Sequence, residues 1–333
     1  MRLDNRPLLS SVADAPLFVA PESMPALRAA VRRRLNVLLL GPPGAGKTTV
    51  LRRLEADARA GAAARAADAA PAGAAGLRAV YVDLAPAATA AEALVLVADA
   101  LGVPADPSGA AWRANGAGPS TALLALVRRL AEAPPALVLA DSPPGDGESH
   151  VLFGRLRDEL WQLEHRWVVA APDALRDELT RPPADAFFDV VLELGPLSSQ
   201  AQRALLERRL GADPPFDPER LVGETDGLPR SLIRLAREAV LTDRPLDALL
   251  QDRHAARARL DGLPDAARAL TDFLAARGAA SASDPDLLGA MGFSAQRARK
   301  LLAELEQAGL VRSYAARQER QGRPRKLYEL TRA

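Results

Sequence analysis

Residues Gly41, Pro42, Pro43, Gly44, Ala45, Gly46, Lys47 and Thr48 fit the phosphate-binding loop pattern G-x-x-x-x-G-K-[ST] without a gap. The chemistry of such a loop is anion capture. Its glycines let the backbone turn tightly and aim N–H groups at phosphate oxygens. A helix starting near Gly46 adds the positive end of its dipole. Lys47 can reach β- and γ-phosphates, and the Thr48 hydroxyl can ligate Mg²⁺. Thr49 completes the residues expected against a nucleotide. The chain has only three lysines, Lys47, Lys300 and Lys326, among 43 basic residues. A lysine at the phosphate position of so arginine-rich a chain suggests that its compact charge is required there.

A magnesium nucleotide site also needs an acid at the end of a buried strand. Asp141, closing the run 136–140 (ALVLA), meets that description. The next residue is Ser142, followed by Pro143-Pro144-Gly145. A serine is no general base unaided. Asp146 and Glu148 are the nearby acids that could substitute. Nucleotide binding is therefore expected, with slow or absent hydrolysis.

These residues need a scaffold. The segments 36–40, 79–84, 136–140, 167–171 and 189–194 read as strands, and helical patterns separate them. That alternation predicts an α/β fold, a parallel sheet with helices on both faces. Helices are expected at 48–58, 90–101, 120–132, 149–164 and 173–179. The alanine-rich stretch 58–76 reads as a surface insertion. After Pro196 the strands stop, and 198–210, 218–224, 228–241 and 245–260 look helical. Gly262-Leu-Pro marks a boundary. The expected domains are 1–196 (nucleotide binding), 197–261 (helical lid) and 262–333.

Composition is ordinary for a globular protein, 48% hydrophobic and 26% charged. With no cysteine there is no disulfide framework and no thiolate chemistry. That fits a cytoplasmic protein. No apolar run is long enough for a membrane span, and no membrane partner is expected. His150, His165 and His254 lack metal-ligand spacing and read as packing or solvent-facing residues. The net charge of +1 hides an asymmetry: residues 294–333 carry ten Lys/Arg against four Asp/Glu. A basic end points toward nucleic acid.

Together these motifs resemble the AAA+ and STAND ATPases, closest to the branch related to archaeal origin-recognition initiators. The segment 17–27 (LFVAPESMPAL) resembles that group's adenine-proximal box, so Phe18 and Val19 would lie near the base. The sequence GPPGAGKT and the run ending in Asp141 are similar to its Walker A and B elements. The segment 227–239 (GLPRSLIRLAREA) looks like a sensor 2 motif, in which Arg230 would touch the γ-phosphate; an ordinary exposed arginine is the other reading. The strand 167–171 ends in Ala170-Ala171-Pro172, where the family usually has a polar sensor. Arg181 occupies the neighbourhood of an arginine finger, or is a solvated surface arginine. The resemblance implies ATP or ADP with Mg²⁺ as cofactor, homo-oligomers on ATP binding, and an ASCE-type P-loop sheet followed by a lid.

The segment 294–307 places Ala298, Leu301, Leu302 and Leu305 on one helical face. Gln296, Arg297, Arg299 and Lys300 fall on the other, near the N-terminal end. The tail 308–331 resembles MarR-type winged-helix regulators. That resemblance implies a wing hairpin of 310–314 and 326–330 with Arg317, Arg320, Arg323 and Arg325 at its tip, and with Lys326 also among the expected DNA contacts. Double-stranded DNA is the expected partner. Such modules also dock proteins, and a basic hairpin can simply be solvated. The implied function is a DNA-binding ATPase-like switch, in which nucleotide state sets lid and winged-helix position. A nucleotide-controlled transcription regulator, a STAND-like signalling switch and a silent ATP-binding scaffold are the alternatives.

Overall fold

The computed structural model describes residues 1–4, 6–8, 14–67, 77–103, 119–242, 245–316 and 325–331. Two compact units result, Met1–Leu241 and Thr242–Ala333. The expected lid of 197–261 straddles this division.

In the first unit the strands are β1 (Val37–Gly41), β2 (Arg78–Asp83), β3 (Ala136–Asp141), β4 (Arg166–Pro172) and β5 (Val190–Glu193). They form one parallel sheet in the order β2-β3-β4-β1-β5. β4 thus intervenes between the loop-bearing β1 and β3, as an ASCE-type fold requires. The strands are apolar on both sides because both faces are covered. Leu38, Leu40, Val138, Ala140 and Val169 pack on one face. Val37, Leu39, Leu137, Leu139 and Val168 pack on the other.

The α-helices described before residue 197 are α1 (Met24–Arg32), α2 (Lys47–Ala67), α3 (Ala90–Leu101), α4 (Pro119–Leu130), α5 (Glu148–His150), α6 (Arg157–Trp161) and α7 (Arg176–Thr180). The structure departs from the sequence reading at three helices; one is 218–224, which holds a 3-10 turn at Pro218–Leu221 instead of an α-helix. α2 runs on to Ala67 through part of the stretch read as an insertion, because alanine is the strongest helix former; residues 68–76 lie outside the described set. The helix expected over 149–164 is instead α5, a π turn at Val151–Arg155 and α6. Gly154 lies in that turn, and a Cβ there would stand 3.3 Å from the Ala184 nitrogen. Two further helices follow, α8 (Ser199–Leu210) and α9 (Pro229–Leu241). Ser198 caps the first through the Ala201 N–H.

His165 is buried at the start of β4. Its Nε2 can only donate to the Leu130 carbonyl at 3.0 Å, so Nδ1 accepts the Ala136 N–H at 3.2 Å. This neutral tautomer pins the end of α4 to β3 and β4. Burial lowers its pKa, and Arg166 and Arg78 assist, against the Leu130 bond and Glu164. Above pH ~6.5 both folded and unfolded states are neutral here. Below that, the unfolded state binds the proton first, so stability falls as pH falls, by up to about 1.4 kcal/mol per pH unit. Denaturant unfolding at pH 7.5 and 5.5 should show this loss, and His165→Gln should flatten the profile. An equally steep profile in the variant would contradict the assignment.

The second unit contains α10 (Leu246–Asp261), α11 (Asp265–Arg277), β6 (Ala280–Ser281), α12 (Pro285–Met291), α13 (Ala295–Gln307), β7 (Val311–Ala316) and β8 (Arg325–Leu330). The three strands pair antiparallel in the order β6-β8-β7. Leu270, Leu274, Leu287, Leu302, Leu305 and Tyr328 form the core. Ser294 caps α13 by accepting the Arg297 N–H. Among the described residues no helix is long and apolar enough to cross a membrane.

Candidate functional site

The loop 41–46 connects β1 to α2 at the carboxyl end of the sheet, where open α/β sheets bind ligands. Gly44 has φ +94°, and a Cβ there would come within 2.9 Å of Arg230 Cβ. The Arg230 N–H donates to the Gly44 carbonyl at 3.3 Å. The first turn of α9 therefore rests on the loop, and only glycine permits the approach. Gly41 is equally constrained, since a Cβ would stand 2.6 Å from the Leu194 carbonyl. Asp226 sets the start of α9: its carboxylate accepts from the Leu228 N–H at 3.1 Å and the Ser231 hydroxyl at 3.1 Å.

A cavity of about 340 Å³ opens over the loop. Its lining includes Pro43, Gly44, Ala45, Gly46, Lys47, Thr48, Thr49, Asp141, Ser142 and Arg230, together with Arg6, Leu8, Phe18, Val19, Leu205 and Ile233. Its size and its mix of polar and apolar lining suit a small-molecule ligand. Phe18 is buried, with the Arg53 guanidinium 5.3 Å from its ring centroid and its carbonyl accepting from Arg208.

Lys47 Nζ donates to the carbonyls of Gly41 at 2.6 Å and Pro42 at 3.1 Å. Burial lowers its pKa, Asp141 and Asp173 oppose this, and Arg230 reinforces it. Asp141 is 3% exposed. Its Oδ2 accepts from the Tyr81 hydroxyl at 3.0 Å, its Oδ1 from the Ser142 hydroxyl at 3.4 Å. Among the described residues neither Lys47 nor Asp141 forms an ion pair. The hydrogen bonds to the Asp141 carboxylate come from neutral hydroxyls, so a cation could meet its oxygens without breaking an ion pair among the described residues. Thr48, Asp141 and the loop thus fit a Mg²⁺–nucleotide: oxygen donors for the metal, N–H groups and Lys47 for the phosphates.

Ser142, Asp146 and Glu148 are the residues that the sequence places just after Asp141. Ser142 lies at φ +54° and donates its N–H to the Ala170 carbonyl at 2.9 Å. Glu148 is engaged elsewhere, accepting the Ala90 N–H at 2.7 Å at the head of α3. Asp146 is exposed. Pro172 lines the cavity at the end of β4. Arg181 is exposed at the end of α7 and does not line the cavity.

In the second unit Gln296, Arg297, Arg299 and Lys300 are all exposed on α13. Arg297 lies 4.6 Å from the Phe293 ring centroid, and Lys300 is 3.9 Å from Glu304. Lys326 is paired with Glu306 at 2.8 Å and sits 4.8 Å from the Tyr328 ring centroid, so its charge is already partly answered. Arg317, Arg320 and Arg323 lie outside the described residues. Arg325 lies in β8, opposite Ala316, with its side chain outside the description.

Three residues of the site carry no motif in the sequence. Tyr81 reaches Asp141 from the neighbouring strand. Arg6 and Leu8 come from the N-terminal segment, and the Leu8 N–H donates to Thr49 Oγ1 at 3.4 Å.

Residues 31–142 match the family model of the AAA domain. The first unit has the AAA P-loop fold. Among solved structures, the chain resembles the Orc1 protein of Aeropyrum pernix in complex with DNA. The two are 20% identical, with 98% of this chain and 93% of that one covered, at a TM-score of 0.51. It resembles Cdc6p of Pyrobaculum aerophilum to the same TM-score, 0.51, at 17% identity, covering 95% of this chain and 93% of that one. No curated protein matches the chain in sequence.

Proposed function

We propose that this chain is a nucleotide-responsive DNA-binding protein. ATP or ADP with Mg²⁺ occupies the cavity over residues 41–48, and the second unit is a winged helix that binds duplex DNA. One observation carries the nucleotide half: a single cavity gathers the loop, Lys47, Thr48, buried Asp141, Phe18, Val19 and Arg230. The loop N–H groups and Lys47 would hold the phosphates. Thr48 and Asp141 would hold the metal, which supplies charge neutralisation at the phosphates when bound. Phe18 and Val19 would flank the base. Arg230, on the helix resting against Gly44, would read the γ-phosphate, so that ATP and ADP differ in their hold on α9.

The helix–strand order α11-β6-α12-α13-β7-β8 supports the winged-helix reading. So does the exposed row on α13, which would enter the major groove. Arg317, Arg320, Arg323 and Arg325 would meet phosphates. Assembly of copies on ATP binding, with Arg181 reaching a neighbour's nucleotide, extends the reading. DNA titrations of the whole protein test it: binding should weaken steeply with salt, and its absence at low salt would leave protein docking as the module's role.

Turnover should be slow, because Ser142 replaces a water-polarising acid and Glu148 is engaged at the head of α3. Phosphate release should stay below about 1 s⁻¹, under the usual range of enzymes. Faster release by the unaltered protein would show that another group polarises the water.

A further inference from the structure

Asp141 is held from outside the nucleotide motifs. β2 and β3 pair in parallel with Tyr81 opposite Leu139 and Asp83 opposite Asp141, so the Tyr81 phenol reaches diagonally along the sheet face. Its hydroxyl donates to Asp141 Oδ2 at 3.0 Å. Phenylalanine would fill the same space without having to satisfy a hydroxyl. The ring itself is clamped. The Arg52 guanidinium stands 3.4 Å from the ring centroid, a cation–π contact at stacking distance. Arg52 pairs with Glu55 at 3.3 Å, and its buried Nε has no hydrogen-bond partner among the described residues. The contact with the ring is therefore a principal partner of this face of the guanidinium. Arg52 belongs to α2, the helix that carries Thr48 in its first turn.

We propose that Tyr81, clamped by Arg52, is a positioning residue for the metal: it fixes Asp141 on β3 relative to Thr48 on α2. The two protein oxygens suited to Mg²⁺ come from different elements, and this chain of contacts ties those elements together. Ser142 holds the other oxygen more loosely, at 3.4 Å, so Tyr81 supplies the shorter restraint. Outer partners of metal-ligating carboxylates commonly contribute about 10–100-fold to metal affinity.

The inference rests on the nucleotide reading above, and the experiment separates the two. ADP binding by the whole protein is measured calorimetrically without Mg²⁺ and at stepped Mg²⁺, for the parent, Y81F and R52Q. For Y81F the Mg²⁺ concentration giving half of the metal-dependent gain in affinity should rise about tenfold. Metal-free ADP binding should stay within about twofold of the parent, a split that a merely structural role would not produce. R52Q, which keeps the phenol, should shift the Mg²⁺ midpoint the same way by less. Should Y81F fail to fold, R52Q carries the test by the same split. An unchanged midpoint in folded variants overturns the proposal, and so does an equal loss of metal-free and metal-dependent binding. A parent that binds no ADP under any condition overturns the nucleotide reading itself.

Discussion

Lys47→Ala should reduce Mg²⁺–ATP and Mg²⁺–ADP affinity by about 2–3 kcal/mol, roughly 30–150-fold, because it deletes a charge-assisted phosphate interaction. Among the described residues Lys47 forms no ion pair, and its ammonium rests on the Gly41 and Pro42 carbonyls. Turning to phosphate therefore breaks only the two hydrogen bonds that the ammonium donates to loop carbonyls. Since burial already penalises the charged form, an anion in the cavity relieves a cost that the free protein carries. The fold should survive, because no core side chain is removed. Calorimetry decides the matter, and unchanged affinity in a folded variant would reject the cavity as the nucleotide site.

Charge reversal at Arg320, Arg323 and Arg325 should weaken duplex DNA binding for all sequences alike. The log–log salt slope should flatten by about 0.9 for each phosphate no longer neutralised, so by roughly 2.7 for three. Gln296 and Arg297 should behave differently. They lie exposed in the first turn of α13, whose N-terminus Ser294 caps. Their replacement by alanine should change the preferred sequence, by about 1–3 kcal/mol per base read, with a smaller change in salt slope. Anisotropy on a panel of duplexes separates the two effects. Uniform weakening from both sets of variants would mean that α13 does not read bases.

The fold is legible in the sequence where the chemistry is local. The loop, its strand and its helix are consecutive, so residues 36–58 can be read directly. Asp141 is legible because five apolar residues precede it. The helix α13 shows in its apolar spacing, although the capping role of Ser294 needs the folded backbone. What the sequence hides depends on tertiary approach. Tyr81 meets Asp141 only because β2 pairs with β3, and nothing along the chain signals that register. Arg6 and Leu8 reach the cavity because the N-terminal segment folds back toward Thr49. Glu148 reads as an available base in the sequence, whereas in the fold its carboxylate caps α3 through Ala90. Lys326 reads as a free phosphate ligand, but Glu306 on α13 already pairs with it. β6 has two residues, too few for any alternation to show.

If the nucleotide held over residues 41–48 governs DNA binding, duplex affinity must follow nucleotide state. Anisotropy should measure that affinity for the whole protein with ATP, with ADP and without nucleotide, in the parent and in Lys47→Ala. The parent should give ATP and ADP affinities that differ by about 5-fold or more, the lower end of ordinary coupling energies. In Lys47→Ala, at nucleotide concentrations that saturate the parent, the three curves should collapse onto one. Identical DNA affinity of the parent in all three conditions would contradict nucleotide control.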